Sequence, residues 1–488
     1  MSEVPSGQST RCPEQGEAEK GAVRNVDRAG TVETRGVDFV PDDERHGRPT
    51  EMFFVFLGAN VSYVYLLIGG TLVLLGLSVV QSLAIVFTAN VMWLLVGLLG
   101  VSGTASGTPS VIVTRAQYGV KGNRISFAGL NWLTTVGYEG VNVAISSLAC
   151  YALLSTLGIS VSVVLKVVIA VGLGLISFVV SFYGHATIVR FSGVLCIAFG
   201  AVLLTLGIFV AVKAHGAADG FVPLSGSDKW IAVLLGITVV SAGPYSWGTA
   251  ADYSRYLPKS TSPASIIGWT ALGGYLPVVG LEVIGIYAGT LVDMSDPLTS
   301  LGQVLPMWFY RVFLIVAVLG LTANNVLNIY SSGLALQAIG VPLKRTKTVL
   351  IDAALGGVLC YILLTTTFLS TFSNLLVLSV TYLGPLLVVY AADLLLRRSR
   401  YDGLLLNDEN SSSRYWYRAG FNPVGMAALV AGTATSLLCL NTTMWVGPVA
   451  HALGGADISF AAGPGVSLVI YSLGMRKNIR VHNNFGAV

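Results

Sequence analysis

The stretch Gly243-Pro244-Tyr245-Ser246-Trp247-Gly248 decides how this chain is read. It lies in an apolar run that starts near Trp230 and continues into Ala251-Asp252-Tyr253-Ser254-Arg255-Tyr256. Proline has no backbone N–H and its ring clashes with the preceding turn, so a Gly-Pro pair here interrupts a helix. In a bilayer the freed backbone groups must face protein or a water-filled cavity. Discontinuous membrane helices of this kind hold substrate and ion in many secondary transporters. The competing reading is a simple kink in a packed helix, because proline and glycine are common in membrane helices.

The composition settles the class. The 488 residues are 54% hydrophobic and 11% charged, with a mean hydropathy of +0.74. A soluble protein carries about 25% charged residues. Low charge with repeated apolar runs of about 20 residues means an all-α polytopic membrane protein. The net charge of +4 calls for no nucleic-acid partner. The cysteines are Cys12, Cys150, Cys196, Cys360 and Cys439. Their odd count and the lack of a C-x-x-C pair support neither a disulfide framework nor a zinc site. Residues 1–50 are polar and contain no apolar signal-peptide core. They read as a mostly disordered cytoplasmic tail before a transporter domain at 51–475, with a second cytoplasmic tail at 476–488.

Run length predicts twelve spans, near 52–76, 79–102, 128–156, 162–184, 190–213, 230–256, 264–291, 309–340, 348–370, 373–396, 423–442 and 456–475. The connections after even-numbered spans are basic: Arg115, Lys121 and Arg124; Arg190; Arg255 and Lys259; Lys344, Arg345 and Lys347; Arg397, Arg398, Arg400, Arg414 and Arg418. Arg476, Lys477 and Arg480 follow the last span, whereas the opposite side carries only Lys213 and Lys229, with Lys166 and Arg311 near span ends. The asymmetry places both termini in the cytoplasm. The first span has its own weak point at Gly58-Ala59-Asn60, five spans before Gly243-Pro244. Matching interruptions in two halves of opposite orientation suggest a five-plus-five inverted repeat with helices 1 and 6 broken.

Four polar groups fall at membrane depth: Asn60; Tyr138, Glu139 and Asn142 in the third span; the Gly243–Gly248 break with Trp247; and Asn324, Asn325 and Asn328 in the eighth. Tyr138 and Asn142 are four apart and share a helix face. Asparagine in a membrane helix often serves as interhelical glue. Three within five positions are harder to explain that way, and each carboxamide both donates and accepts, as a flat heterocycle requires. Tyr138 and Trp247 either pack in the core or stack on such a ring. Glu139 is the most suspicious residue, since a carboxylate at that depth is by default functional. It reads as a protonatable coupling group, a partner for a ring N–H, or a protonated tie to a neighbouring helix. Glu282 and Asp352 raise the same question more weakly, and the Asp252–Arg255 pair reads as structural. No Walker A pattern, catalytic triad or zinc-protease signature occurs.

These residues resemble the nucleobase:cation symporter-1 family, in its purine–cytosine permease branch. The resemblance rests on Asp42-Asp43-Glu44-Arg45-His46-Gly47-Arg48-Pro49, Gly58-Ala59-Asn60, Thr114-Arg115 through Tyr118-Gly119 to Gly122-Asn123, Ala251 to Pro258, and Asn325 to Tyr330-Ser331. It implies twelve spans in the five-plus-five inverted-repeat transporter fold and cation-coupled uptake of cytosine, purines or related rings. It places Tyr138 where the family stacks its ligand, Asn142 one turn later at an amide position, and Asn324, Asn325 and Asn328 at the eighth-span asparagines. The family's sixth-span aromatic falls at Trp247 or at Gly243, because Trp247 lies nearer Asp252 than the pattern expects. Sodium-coupled members use first-span carbonyls, near Gly58 here, and eighth-span hydroxyls. Thr322 remains but its neighbour is Ala323. A cation needs several oxygens, so the expected co-transported ion is a proton rather than sodium, with Glu139 as its coupling group and no other cofactor.

The expectation is therefore a plasma-membrane symporter for a nucleobase, with the lipid bilayer around it and no obligate protein partner. Hydantoin, allantoin, thiamine or pyridoxine-like rings are the alternative substrates, and an uncoupled facilitator the alternative mechanism. The topology is directly testable. An alkaline phosphatase fused to the C-terminus should be inactive, because that end stays in the cytoplasm; an active, exported fusion overturns the orientation.

Overall fold

The computed structural model describes residues 36–182, 184–214, 224–341, 345–366 and 368–485. The expected tail up to residue 35, with Cys12, and Lys344 lie outside the described residues, as do the side chains of Arg190, Cys196, Arg345, Lys347 and Arg480. The described chain is helical throughout, with two isolated β-bridges, Arg418 to Phe421 and Asn441 to Val446.

The helices run α1 (Thr50–Asn60), α2 (Tyr63–Leu74), α3 (Val79–Ala89) and α4 (Trp93–Ser106), the last two joined by a 3₁₀ turn at Asn90–Met92. Three short helices follow: α5 (Ser110–Val113), α6 (Arg115–Tyr118) and α7 (Val120–Ile125). Then come α8 (Phe127–Thr156), α9 (Val163–Phe182), α10 (Gly184–Ala214), α11 (Gly226–Tyr245), α12 (Ala250–Ser254) and α13 (Pro263–Gly289). The chain ends with α14 (Pro297–Ser300), α15 (Met307–Ile339), α16 (Arg345–Thr365), α17 (Phe368–Arg397), α18 (Gly403–Asn407), α19 (Pro423–Cys439), α20 (Pro448–Ala452) and α21 (Ser459–Phe485). Among the described residues six helical stretches are individually long and apolar enough to cross a bilayer, and α1 with α2, bent by 62°, makes a seventh. Helix α21 continues past residue 475 to Phe485.

Two packing devices position the centre of the molecule. The first is glycine. Lipid offers no hydrophobic reward for helix association, so close contact needs small residues. Helix α13 turns Gly273, Gly274 and Gly285 toward α1, α2 and α4. A side chain at Gly273 would meet the Phe53 carbonyl at 2.6 Å, one at Gly274 the Trp93 indole, and one at Gly285 the Leu66 carbonyl. Gly69 of α2 returns the contact by lying on the Glu282 carbonyl. The second is a buried polar hub where α6, α17 and α21 meet. Asp393 accepts hydrogen bonds from Gln117 Nε2 at 2.9 Å, Arg397 Nε at 2.8 Å, Tyr401 OH at 2.9 Å and Tyr471 OH at 2.7 Å. Arg115 and Arg124 both reach Glu409, at 2.6 and 2.7 Å, and so fasten the segment after α18 onto α6 and α7.

The glycine seam predicts a mutational cost. Gly285→Val should drive α13 from α2 and destabilise the protein by about 1–3 kcal/mol, the usual cost of overpacking. A thermal unfolding transition in detergent that matches wild type would show that the seam is slack.

Candidate functional site

The break between α1 and α2 is held open by side chains. Ser62 caps α2, its Oγ accepting from Val64 N at 3.4 Å. Asn60 turns back, donating from Nδ2 to Phe56 O at 2.8 Å, and its Oδ1 accepts from Tyr65 OH at 2.6 Å. From the opposite side Asn324 Nδ2 of α15 donates to Ala59 O at 2.7 Å. A helix end leaves carbonyls without intrahelical partners, and this amide supplies one.

The second break separates α11 from α12. Pro244 sits in the last turn of α11, and residues 246–249 carry the chain to Ala250. Ser246 Oγ closes the turn by donating to Gly243 O at 2.7 Å. Trp247 is set into an aromatic group, 5.2 Å from the Phe56 ring and 6.3 Å from Trp93. Gly243 faces the Tyr65 ring: an added Cβ would stand 3.0 Å from Tyr65 Cε1. The glycine is thus needed for close approach of that ring.

Between the two breaks lies an enclosed cavity of about 50 Å³. Three walls of different chemistry face it. Tyr65, Tyr138, Trp247 and Tyr253 offer rings; Asn142, Asn324 and Asn328 offer carboxamides; Ser62, Thr134, Thr135, Ser246, Thr249 and Ser331 offer hydroxyls. No Asp, Glu, Lys or Arg lines it among the described residues. The carboxamides are linked through Asn324 Oδ1, which accepts from Asn142 Nδ2 at 2.8 Å and Asn328 Nδ2 at 3.2 Å. Each retains donor or acceptor capacity beyond these bonds. The arrangement can hold a neutral planar molecule by its faces and its edge. It holds no nucleophile with an adjacent base.

The structure therefore brings Tyr138, Asn142, Gly243, Trp247, Asn324 and Asn328 to one cavity. It places the other predicted residues elsewhere. Asn60 stands one layer out, behind Tyr65. Glu139 and Asn325 face away from the cavity, because successive helical residues point about 100° apart, and both line a separate cavity. Gly58 is buried within α1. Thr322 Oγ1 donates to Val318 O of its own helix at 2.7 Å. Asp252 and Arg255, expected as a structural pair, are both fully buried and hold further partners. Asp252 Oδ1 accepts from Ser110 N at 2.8 Å and Oδ2 from Ser331 Oγ at 3.0 Å. Arg255 donates to Gly36 O at 2.7 Å and to the hydroxyls of Tyr256 and Tyr330. Sequence reasoning missed Tyr65, Thr134, Thr135, Ser246, Thr249, Tyr253 and Leu376 in the lining. For Tyr65 a signal existed, since it lies in the first turn of α2, just beyond the first break.

The two ends of the cavity differ. On the side of Gly36 and Arg45 it is sealed by Tyr253, Tyr330 and Arg255, the Tyr253 and Tyr330 rings stacking at 6.0 Å. Arg45 braces that end, donating to Val40 O and Thr104 O. On the other side a larger cavity of about 1140 Å³ begins at Tyr63 and Leu67, next to Ile68 of the central site, and extends to Lys166 and Asp296.

Residues 39–463 match the family described as permeases for cytosine/purines, uracil, thiamine and allantoin. The purine-cytosine permease FCY2 of Saccharomyces cerevisiae is 24% identical over 469 residues, covering 91% of this chain and 85% of that protein. The cytosine permease of Escherichia coli K12 is 27% identical over 373 residues, covering 74% and 81%. The fold matches that of Mhp1, a nucleobase-cation-symport-1 family transporter solved in a closed conformation with bromovinylhydantoin bound. The TM-score is 0.73 at 19% identity, over 92% of this chain and 96% of that one. The chain belongs to this permease family, in the purine–cytosine branch of the nucleobase:cation symporter-1 transporters; it is a multi-pass membrane transporter and not an enzyme.

Proposed function

We propose that this protein imports a nucleobase, cytosine or a purine, by symport with a proton, through alternating access around the cavity between the two helix breaks. One observation carries the reading: an uncharged cavity in which three linked carboxamides meet aromatic rings. A nucleobase presents ring N–H and C=O groups along its edge, which carboxamides match, and a flat face, which Tyr138 and Trp247 can stack. Asn142, Asn324 and Asn328 take the edge, Gly243 admits the Tyr65 ring, and Asn60 holds Tyr65 from behind.

In the same proposal the chain crosses the plasma membrane twelve times, as two inverted five-helix repeats plus two helices. The α1–α2 and α11–α12 pairs are the broken first and sixth spans. The transporter unit at 51–475 lies between cytoplasmic tails at 1–50 and 476–488. The large cavity beyond Tyr63 is then the external vestibule, and the Arg255 cluster the cytoplasmic seal. A proton fits better than sodium because Ala323, beside Thr322, has no side-chain oxygen to offer, whereas a metal cation needs several. The family description and the hydantoin in the Mhp1 structure favour a second reading, another planar heterocycle such as allantoin, thiamine or a hydantoin, with pyridoxine-like rings beside them.

Competition of unlabelled bases against labelled cytosine uptake in whole cells decides among these. Cytosine and purines should displace it; displacement by allantoin or hydantoins alone selects the second reading. A protonophore should abolish accumulation and sodium removal should not, while accumulation-free uptake insensitive to both marks a facilitator. Asn142→Ala and Asn328→Ala should each weaken binding by about 1–3 kcal/mol, the cost of a buried polar edge left unpaired, with the protein still reaching the membrane. Unchanged dissociation constants in both would reduce these amides to interhelical ties.

A further inference from the structure

A second cavity, of about 200 Å³, lies behind the first, between α8, α9, α15 and α16. Its polar lining is Glu139 from α8, Asn325 from α15 and Asp352 with Cys360 from α16; α9 contributes an apolar wall that includes Val171, Leu175 and Phe178. Glu139, Asn325 and Asp352 are 2%, 2% and 0% exposed. Trp132 Nε1 donates to Asp352 Oδ1 at 2.8 Å. Both Glu139 oxygens, Asp352 Oδ2 and Asn325 Oδ1 have no hydrogen-bond partner among the described residues. No Lys, Arg or His lines this space among the described residues, and the titratable groups facing Glu139 across it are Asp352 and Cys360.

Two carboxyls thus share a buried space whose described lining offers no counter-charge. Leaving both ionised is costly, because buried charges need pairing and like charges disfavour each other. A bound proton removes that cost and gives an orphaned oxygen a hydrogen-bond donor. A metal cation would not suit the site as well. Helices α8, α15 and α16 are unbroken here, so their carbonyls are used in helix bonds. The four orphaned oxygens, with the Ser332 hydroxyl close to both carboxyls, fall short of the roughly six to eight ligands that calcium takes.

We propose that Glu139 and Asp352 together bind the coupling proton, in a site separate from the substrate cavity and back to back with it across α8 and α15. This rests on the proton-symport reading. The two cavities take consecutive residues of the same two helices: Tyr138 and Glu139 on α8, Asn324 and Asn325 on α15. A roll of α8 that closes Asn142 on a ligand also moves Glu139 relative to Asp352 of α16, and a roll of α15 moves Asn325 against both. The proton passes from external water to a carboxylate oxygen and later from that oxygen to cytoplasmic water; no other bond changes. Coupling is then linkage between two sites, and each raises affinity for the other by the same factor.

The test compares wild type with E139Q and D352N, which keep shape but cannot ionise. In purified protein, cytosine affinity should change by about tenfold per pH unit for one linked proton, with proton uptake visible to a pH dye. Either variant should flatten that slope below about twofold, lose dye-detected uptake, and in proteoliposomes retain cytosine exchange while failing to accumulate it. A ligand-free arm uses infrared pH titration: the band of a protonated carboxyl should be lost or altered in whichever variant gives a monodisperse preparation. If both variants keep the slope, the proton uptake and the band, the paired-carboxyl site is wrong while proton symport stands. If wild type itself shows no cytosine-linked proton uptake and accumulates only with sodium, the symport reading falls and this site with it.

Discussion

The hydrogen bond from Asn324 Nδ2 to Ala59 O, at 2.7 Å, joins the break in one helix to the middle of another. In a bilayer an unsatisfied carbonyl has no water to turn to, so a break survives only where another element supplies the missing partner. Here that partner is also the acceptor for Asn142 and Asn328. The same amide that makes the irregular backbone tolerable organises the edge of the central cavity. One side chain thus serves both, which explains why the polar groups of α8 and α15 gather at the break between α1 and α2.

Around that bond the packing falls into two kinds. On one side α1, α2, α4 and α13 approach backbone to backbone through glycine, a contact with little room for adjustment. On the other, α8 and α15 lie along each other, α8 meets α16 where Gly140 faces the Gly356 carbonyl and where Trp132 reaches Asp352, and cavities lie on both faces. The cavities lie on the two faces of α8 and α15, while close glycine packing holds α1, α2 and α4 against α13.

Several of the helices were legible in the sequence because apolar run length is a local property: α8 begins at Phe127 against an expected 128, and α13 at Pro263 against 264. The Tyr138–Asn142 face was legible for the same reason, since four residues return a helix to the same side. What one sequence does not fix is which face looks inward. Glu139 and Asn325 sit next to lining residues, yet face the second cavity, and only the packing of α9 and α16 reveals it. Thr134 and Leu376 enter the lining through tertiary contact between distant segments, a relation that no periodicity encodes.

A single proton is energetically adequate for the work proposed. One pH unit across the membrane is worth about 1.4 kcal/mol per proton, and 100 mV of potential about 2.3 kcal/mol per charge. Their sum, about 3.7 kcal/mol, supports a concentration ratio of several hundred for a neutral ligand at about 1.4 kcal/mol per factor of ten. The ligand must be neutral for the potential to act only through the proton, and the central cavity is lined without charged groups among the described residues. A carboxyl within that cavity would mix the two roles, since its charge would bear on ligand binding in every step. Setting Glu139 and Asp352 in the second cavity separates them: the central cavity stays uncharged, and the proposed titrating pair acts on it through α8, which carries Tyr138 and Asn142 on one face and Glu139 on the other.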